Sequence, residues 1–471
     1  MTLVAGVDSS TQSCKVVIRD SVTGELVRSG RASHPAGTEV DPNAWFEALK
    51  LAIDDAGGLA DVSAISIGGQ QHGMVLLDAD GKVIRKALLW NDTRSAGTAS
   101  ELIEHFGANA LVDLTGSVPV AAFTSSKVLW VTRNEPQNAD LVAAVCLPHD
   151  WLSWRLAGYG PEGESELGPD LSALATDASD ASGTGYYNPV TGEYLPEIWD
   201  FILGRTPVLP RLVKPGEWAF TPEVTNRFGI ACGAGDNAAA GLGLGADIGD
   251  VVVSLGTSGT VFAVTGKQSS DPSGTVAGFA SATGSFLPLV CTLNAARVMD
   301  SFASLLGVTH QELSDLALKA QPGSGGVVVV PYFEGERTPN LPDASGSVLG
   351  LTLASNTREN MARAAIEGML CGLADGFAVL QKQGVECKRV LLIGGAAANP
   401  VVQQIAAQIF GVQIVIPHLG EYVADGAARQ AVLALTGKPA TWALELQATV
   451  APDAHPVILN QYHQALAGLR L

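Results

Sequence analysis

The sequence predicts an α/β protein built from two similar domains. Three observations lead to this prediction. The chain has 471 residues, a strand–turn–strand unit occurs in each half, and helices alternate with strands in the last part. A chain of this length exceeds one ordinary core and divides into domains of roughly 200 or more residues. Hydrophobic residues make up 47% of the chain and charged residues only 16%. The chain therefore has enough apolar side chains to form two large cores.

The first strand–turn–strand unit begins the chain. Leu3–Val7 is an apolar strand, Asp8–Ser13 is a polar turn, and Lys15–Arg19 is the returning strand. Asp41 followed by Pro42 then predicts the start of a helix, because Asp caps the first turn and Pro fits the first helical position. The chain therefore opens with a strand meander followed by a helix.

The second unit lies in mid-chain and has the same plan. Val251–Leu255 is an apolar strand, Gly256–Gly259 a turn, and Thr260–Val264 the returning strand. Two such units indicate a duplicated domain plan. The glycine-rich stretch Gly241–Asp250 is the predicted boundary between the domains.

The last part of the chain alternates helix and strand. Asn356 and Glu359 form a capping-box pattern, and the helix that follows is expected to end near Gly384. Asn399, followed by proline, predicts the start of another helix, and Gly411 predicts its end. A buried apolar strand separates the two helices.

Composition limits the class of partner and the compartment. The chain has 28 Lys and Arg residues against 47 Asp and Glu residues, a net charge of −19. This argues against a nucleic-acid surface and an anionic membrane surface. We find no secretory leader and no run of 18 apolar residues, so no transmembrane helix is expected. The six cysteines form no C-x-x-C pair, which indicates free thiols and a cytoplasmic protein.

The first polar turn is a candidate phosphate site. Asp8 ends the strand, and Thr11, Gln12, Ser13 and Lys15 offer hydroxyl, amide and ammonium donors to a phosphate. The Asp8 carboxylate is placed to hold Mg²⁺, directly or through water. The alternative is an ordinary polar hairpin, since such turns are common.

Two further glycine turns are candidates for nucleotide binding. Gly256 and Thr257 head the second unit and could face the first turn across the cleft, so that both grip a polyphosphate. Gly394 and Gly395 follow a buried strand and leave room for a nucleotide base or ribose against the backbone. Asn399 at the end of this turn is either a nucleotide contact, a helix cap or both.

Asp236 is the candidate general base. It lies in the small-residue loop Gly233–Ala238, where a substrate hydroxyl could approach its carboxylate, and Asn237 follows as a substrate contact. The alternative is a helix cap, because Asp followed by Asn and three alanines also begins a helix.

A third group of residues is typical of a polyol pocket. Gln71, His72 and Trp90 offer an amide, an imidazole and an indole, which can bind hydroxyls and cover carbon atoms. The alternative for His72 is a structural histidine. The histidines and cysteines have no spacing that would indicate a zinc site.

Taken together, these motifs resemble the FGGY carbohydrate kinases, and among them the xylulokinases most closely. The resemblance covers nearly the whole chain. The motifs that carry it are Asp8, Gln71–His72, Leu89–Arg94, Leu147–Asp150, Ser179–Thr184, Gly235–Asn237, Ser254–Gly259, Gly335–Pro339, Gly346–Glu367, Gly394–Asn399 and Gly426–Ala428.

The resemblance implies two ribonuclease-H-like domains of the actin, hexokinase and sugar-kinase plan, with residues 1–245 binding sugar and residues 246–471 binding ATP. It implies Mg²⁺ and ATP as cofactors and phosphorylation of a terminal sugar hydroxyl, D-xylulose being the first candidate and ribulose or glycerol the alternatives. Asp236 takes the place of the family's base and Asp8 that of the carboxylate near the metal. Gln71–His72 takes the place of the sugar-binding pair, and Trp90 that of a tryptophan against the carbon chain.

Other consequences concern partners and rival functions. The expected partners are a small-molecule sugar and ATP, with no nucleic acid and no membrane, and a homodimer is left open. An ATP-binding protein without catalysis on the same fold, like actin or a heat-shock chaperone, is the rival from another class; it would lack the sugar pocket and Asp236.

The sequence departs from the family pattern in three places. Ser10 stands where many relatives have glycine, an insertion occupies Gly158–Leu174, and Asp425 replaces an apolar residue. The polar stretch Gly158–Gly185 as a whole is expected to be a surface loop.

Overall fold

The computed structural model describes residues 1–469 and contains two seven-stranded sheets, one in each half of the chain. Each sheet has a central strand, Leu3–Ser9 or Asp250–Leu255. The central strand pairs antiparallel with the next strand in sequence and parallel with a strand that follows a helical crossover. The same order of parallel and antiparallel neighbours in both sheets confirms the predicted two-domain α/β plan.

The spatial order of the strands in each main sheet differs from their order in the sequence. The N-terminal sheet contains Trp218–Phe220, Gly229–Ala231, Val62–Gly69, Leu3–Ser9, Ser13–Asp20 and Leu26–Ser33, with Ala234–Gly235 also pairing with Val62–Gly69. The C-terminal sheet contains Ala277–Ala280, Phe286–Thr292, Gly259–Ala263, Asp250–Leu255, Arg389–Ile393, Gln413–Pro417 and Leu446–Val450.

Helices cover the faces of both sheets. The α-helices are Pro42–Asp55, Ala96–Phe106, Ala108–Thr115, Thr124–Asn134, Pro136–Leu141, Pro148–Leu156, Ala178–Ala181, Pro196–Ile202, Pro222–Thr225, Asp236–Gly243, Ala296–Leu306, His310–Ala317, Arg358–Lys382, Pro400–Phe410, Tyr422–Thr436 and Val457–Gly468. Short strand pairs outside the main sheets are formed by Glu39–Val40, Val75–Leu77, Ala87–Leu88, Ala144–Cys146, Ala175–Thr176, Tyr187–Asn188, Glu193–Tyr194, Arg211–Leu212, Val328–Val330 and Ser347–Leu349.

Local signals place most helix ends correctly. The Asp41 carboxylate accepts a hydrogen bond from the Asn43 N–H, as expected of a cap. One predicted cap is wrong. The long helix begins at Arg358 and is capped by Thr357, whose hydroxyl accepts from the backbone N–H of Asn360 at 3.2 Å. Asn356 therefore lies one residue before the cap, and the capping box with Glu359 does not form.

The prediction of a surface loop over Gly158–Gly185 is wrong for its second part. From Leu174 onward nearly every residue is buried, and the segment includes a strand, Ala175–Thr176, and a short helix, Ala178–Ala181. Polar composition misled the prediction because the polar groups here are satisfied inside the protein. The side chain of Asp177, for example, accepts hydrogen bonds from two backbone N–H groups.

Two helices are exchanged between the halves. The helix Asp236–Gly243 follows the N-terminal sheet in sequence, yet its alanines pack on the C-terminal sheet against residues such as Phe262 and Leu391. The helix Tyr422–Thr436 belongs to the second half, yet it packs on the N-terminal sheet. We call this pair the exchanged helices. Because each lies on the other half's sheet, they join the halves through a packed contact.

Glycines allow the helix Tyr422–Thr436 to lie very close to the helix Asp236–Gly243 and to the strand Leu3–Ser9. A Cβ on Gly426 would lie 1.9 Å from the carbonyl oxygen of Ala239, and a Cβ on Gly6 would lie 1.9 Å from that of Ala424. Such distances exclude any side chain without movement of the backbone. Glycine is therefore required at these positions by packing.

Ion pairs also cross between the halves. Lys15 Nζ lies 2.5 Å from Glu421 Oε2, and Arg19 Nε donates to Asp425 Oδ1 at 2.6 Å. Asp425, which departs from the apolar residue usual in the resemblance, is thus the partner of Arg19. Elsewhere, the Gly278 N–H donates to the Gly116 carbonyl at 3.0 Å. The halves are therefore joined by ion pairs and by a backbone hydrogen bond.

The helix Arg358–Lys382 is long and apolar enough, by length and composition, to cross a membrane. In the structure 72% of its most apolar window is buried in the second half. Its apolar composition is accounted for by this burial in the core. All six cysteines are free, and four of them are buried.

Candidate active site

A cavity of about 420 Å³ lies between the two halves. It is lined from the N-terminal half by Thr11, Gln71, His72, Trp90, Phe123, Asp236 and Asn237, and from the C-terminal half by Gly256, Thr257, Thr260, Phe279 and Arg337. A second cavity of about 290 Å³ adjoins it and is lined by Asp8, Lys15 and Gly394. Asp236, Asn237, Ser254 and Thr260 line both cavities. Two ligands could therefore meet beside Asp236.

Asp236 is held at a strand end by backbone pairing. The strand Ala234–Gly235 pairs in parallel with Gly68–Gly69, and the helix begins at Asp236 itself. One carboxylate oxygen, Oδ1, accepts from the Asn237 backbone N–H at 2.8 Å and from Asn237 Nδ2 at 2.9 Å. Within residues 1–469 the other oxygen has no protein donor. Burial raises the pKa of Asp236 to about 6, and the hydrogen bonds from Asn237 oppose this rise.

Asp8 lies two strands away at the same edge of the sheet. Its strand pairs with Val62–Gly69, which in turn pairs with the strand that leads into Asp236. Burial raises the pKa of Asp8 to about 7; Lys15, 3.6 Å away, lowers it, and the charge of Asp236 raises it. Asp8 Oδ1 is buried and has no hydrogen-bond partner among the described residues. A buried, unpaired carboxylate oxygen fits a hard cation such as Mg²⁺, which prefers oxygen ligands.

His72 is held in a single orientation. Its φ of 68° is unusual for a residue with a side chain, and its carbonyl accepts from Lys127 Nζ at 2.8 Å and Thr124 Oγ1 at 3.3 Å. The ring nitrogen Nδ1 donates to the Gly183 carbonyl at 2.6 Å. Burial lowers the pKa of His72 to about 3, so the ring is neutral. Nε2 is then an acceptor, available for a hydroxyl in the cavity.

Gln71 and Trp90 complete this wall of the central cavity. Gln71 Nε2 donates to the Ser179 carbonyl at 3.2 Å, which holds the amide in place. The indole N–H of Trp90 donates to Thr11 Oγ1 at 2.9 Å, and the side chain remains 38% exposed. The bond joins the predicted sugar pocket to the first polar turn.

The two polar turns face the same cavity. Thr11 lines it from the N-terminal half, and Gly256 and Thr257 line it from the C-terminal half. Of the remaining residues of the first turn, Gln12 is exposed and Ser13 is buried at the start of its strand, and neither lines the two cavities. The predicted juxtaposition of two turns is therefore present, through part of the first turn.

The third glycine turn lies at the smaller cavity. Gly394 lines that cavity and has a φ of 94°; a Cβ there would lie 2.5 Å from the Leu255 carbonyl oxygen. Gly395 is open, with nothing near its Cβ position. Asn399 caps its helix through Oδ1, which accepts from the Val401 N–H at 2.9 Å, and its amide donates to Ser314 Oγ at 2.7 Å. Its polar groups are therefore engaged within the protein.

Sequence reasoning assigned no role to Arg337, which lines the central cavity. The neighbouring Glu336 is 3% exposed and accepts hydrogen bonds from the Leu293 and Arg337 N–H groups and from Asn294. In the sequence, the run Gly335–Pro339 contributes only to the family resemblance. Two adjacent charged residues in that run were the signal that could have been followed.

Comparison with known proteins decides the family. Models for the two domains of the FGGY family of carbohydrate kinases match residues 3–243, as the N-terminal domain, and residues 251–435, as the C-terminal domain. The chain belongs to the FGGY family of carbohydrate kinases. The FGGY fold, two ribonuclease-H-like domains of the actin type, is thereby confirmed, and so is the prediction of a sugar kinase.

Individual relatives of this FGGY kinase agree. The chain is 43% identical to the xylulose kinase of Streptomyces rubiginosus over 96% of this chain and 92% of that protein. It is 34% identical to the xylulose kinase of Escherichia coli over 91% of this chain and 89% of that protein. The crystal structure of xylulose kinase from Bifidobacterium adolescentis superposes with a TM-score of 0.92 at 46% identity, covering 99% of both chains. As a carbohydrate kinase, the enzyme uses ATP as its phosphoryl donor and a sugar as its acceptor.

Proposed function

We propose that this carbohydrate kinase transfers the terminal phosphoryl group of ATP to D-xylulose and forms D-xylulose 5-phosphate. The observation that carries the chemistry is that Asp236 lines both cavities. The sugar identity is supported by the xylulose kinases of Streptomyces, Escherichia coli and Bifidobacterium, which match almost the whole chain.

In this proposal Asp236 accepts the proton of the sugar hydroxyl as the bond to phosphorus forms, and Asn237 fixes its carboxylate. A carboxylate with a pKa of about 6 is mostly ionised at neutral pH yet basic enough to take a proton. His72 Nε2 accepts a hydrogen bond from the sugar, the free oxygen of the Gln71 amide binds another hydroxyl, and Trp90 covers the carbon chain.

The nucleotide is proposed to lie along the three polar turns. Thr11, Gln12, Ser13 and Lys15 on one side, and Gly256 and Thr257 on the other, bind the phosphates. Gly394 and Gly395 leave room for the ribose or base, and Asn399 shapes that turn as its cap and as a neighbour of the nucleotide. For Lys15 this requires the ammonium to exchange its contact with Glu421 for a phosphate oxygen.

Asp8 is proposed to hold Mg²⁺, directly or through water. When bound, the ion would neutralise charge on the phosphates during transfer. The unpaired Asp8 Oδ1 supports this role. We also propose residues 1–245 as the sugar-binding domain and residues 246–471 as the ATP-binding domain.

The remaining proposals concern the enzyme's surroundings. A cytoplasmic location is supported by six free cysteines. A protein without nucleic-acid or membrane partners is supported by the net charge of −19. A homodimer is proposed only as the first assembly to test.

A coupled assay of ADP release tests the substrate. The panel contains pentuloses including D-xylulose and ribulose, hexuloses, pentitols and glycerol, each at several concentrations. We expect D-xylulose to rank first by kcat/KM. A clear preference for another sugar would overturn the xylulose assignment and leave the kinase chemistry standing. If no sugar of the panel causes ADP release, a binding protein on this fold would be favoured.

A further inference from the structure

A cluster of one histidine and three aspartates lies buried close to the segments that carry Gln71 and Asp236. His149 is the second residue of the helix Pro148–Leu156. Its Nε2 lies 3.4 Å from Asp150 Oδ1, 3.3 Å from Asp177 Oδ1 and 3.2 Å from Asp180 Oδ2. All four side chains are at least 95% buried. Neither carboxylate oxygen of Asp180 has a hydrogen-bond donor among the described residues.

The geometry of this cluster favours a cation on the histidine. Burial alone would lower the pKa of His149, but the charges of Asp150, Asp180 and Asp177 raise it to about 10. Burial raises the pKa of Asp150 and of Asp180, and His149 opposes the rise in both. These three carboxylates are the titratable groups that act on the ring. An imidazolium surrounded by carboxylates is therefore the state that the geometry favours, since an unpaired buried charge is costly.

His149 also packs against both segments that form the proposed sugar site. A Cβ on Gly69 would lie 2.9 Å from His149 Cβ, and a Cβ on Gly233 would lie 2.3 Å from the ring nitrogen Nδ1. Gly69 is two residues before Gln71, and Gly233 is three residues before Asp236. The backbone and Cβ of His149 thus pack against one segment, and its imidazole ring packs against the other.

The carboxylates reach the same residues by a second route. Asp177 accepts from the backbone N–H of Ser179 at 2.8 Å. Ser179 in turn binds both sides of the site: its carbonyl accepts from Gln71 Nε2 at 3.2 Å, and its hydroxyl accepts from the Gly235 N–H at 3.0 Å. A shift of Asp177 would therefore move both Gln71, the proposed sugar contact, and Gly235, the residue before the proposed base.

We propose that His149 is a positioning residue: its imidazolium binds Asp150, Asp177 and Asp180 and so holds Gln71 and Asp236 in their working positions. The proposal rests on the proposed roles of those two residues. His149 itself does not line either of the two cavities, so it acts through the cluster.

The test compares two variants that differ in charge. His149→Gln removes the cation and keeps a polar side chain, whereas His149→Lys keeps the cation. Kinetics use whichever sugar of the panel is the best substrate, so that a wrong sugar assignment does not affect the result. We expect His149→Gln to lower kcat/KM for the sugar by about 10²-fold, the size of effect that a small misplacement in a site produces. The KM for ATP should stay unchanged, and His149→Lys should retain most of the activity.

Two outcomes would overturn the proposal in this assay. One is that both variants are equally impaired, which would mean that the imidazole itself matters and not its charge. The other is that both match the wild type. Asp180→Asn added to His149→Gln supplies an internal check: because it removes a buried carboxyl group that has lost its cationic partner, it should restore part of the lost activity or thermal stability. A further additive loss would count against a charge-balanced cluster.

A measurement on the wild-type enzyme covers the case in which His149→Gln does not fold. With ¹³C-labelled histidine, one ring resonance should keep the imidazolium shift at pH 9 and be missing in His149→Lys. A resonance assigned to His149 that titrates below pH 7 would overturn the proposal. So would a stoichiometric metal in the enzyme after dialysis against EDTA that is absent from His149→Gln, since the cation would then be a metal ion. If Asp236→Asn keeps its activity, the assignment of Asp236 as the base fails. The comparison of His149→Gln with His149→Lys and the imidazolium resonance would still test the charge of His149 independently.

Discussion

Replacing Asp236 by Asn is the sharpest test of the site. The amide keeps the shape of the carboxylate and can still bind Asn237, but it cannot accept a proton. Loss of a general base typically costs about 10²–10⁴-fold in rate. We therefore expect Asp236→Asn to lower kcat by that order while the sugar and the nucleotide still bind, as measured by calorimetry.

The pKa of Asp236 adds two quantitative expectations. With a pKa of about 6, roughly one-tenth of the carboxylates are ionised at pH 5 and roughly nine-tenths at pH 7. The rate of the wild-type enzyme should therefore rise about tenfold between these values, and the residual rate of Asp236→Asn should lack this rise. A carboxylate whose folded-state pKa is raised destabilises the fold as pH rises from the unfolded value of 3.8 toward 6.

The same substitution should stabilise the protein at pH 7, because it removes that cost. The full shift corresponds to about 3 kcal/mol. The side chain partly faces the cavity, so solvent screening reduces this to about 1 kcal/mol. The assays are ADP release at saturating substrates and thermal unfolding, with Asp41→Asn, a helix cap outside both cavities, as the control. A near-normal kcat in Asp236→Asn would mean that Asp236 only begins a helix, and the reasoning would be refuted.

Four further outcomes are expected. His72→Ala should raise the KM for sugar far more than that for ATP, because His72 lines the central cavity; equal weakening would indicate a structural residue. Asp8→Asn should need more Mg²⁺ for half-maximal rate, and an unchanged Mg²⁺ profile would remove Asp8 from the metal site. Small-angle scattering should show contraction with sugar and an ATP analogue together, since the turns of both halves must close on the ligands; no contraction would argue against a hinged cleft. Gly426→Ala should destabilise the protein by about 1–3 kcal/mol, because its Cβ would overlap the Ala239 carbonyl; an unchanged unfolding temperature would show that the helices can separate freely.

Much of the fold could be predicted from the sequence because its signals are local. Apolar runs ending in small polar turns marked the central strand of each sheet, and Asp41, Asn399 and Gly411 marked helix ends by their own backbone chemistry. The capping-box prediction at Asn356 failed by one residue, because the Thr357 hydroxyl accepts from the Asn360 N–H and caps the helix one position later.

The site could be predicted only in part because burial is a property of the whole fold. The polar stretch that includes Asp177 and Asp180 resembles a surface loop in sequence, but in the fold both side chains are buried beside His149, which lies about thirty residues away in the chain. Arg337 lines the same cavity as Asp236 although the two residues are about a hundred positions apart in the chain. No local pattern carries this information.

The exchanged helices have a consequence for how the protein can be divided. A fragment cut near residue 245 would keep the helix Asp236–Gly243 but lose the sheet on which it packs, and the other fragment would lose the sheet under Tyr422–Thr436. Each fragment would expose an alanine- and glycine-rich helix and an uncovered sheet face to water. The two sequence domains are therefore expected to fold poorly when produced alone and to assemble when produced together. In this sense the whole chain, and not either half, is the unit of folding.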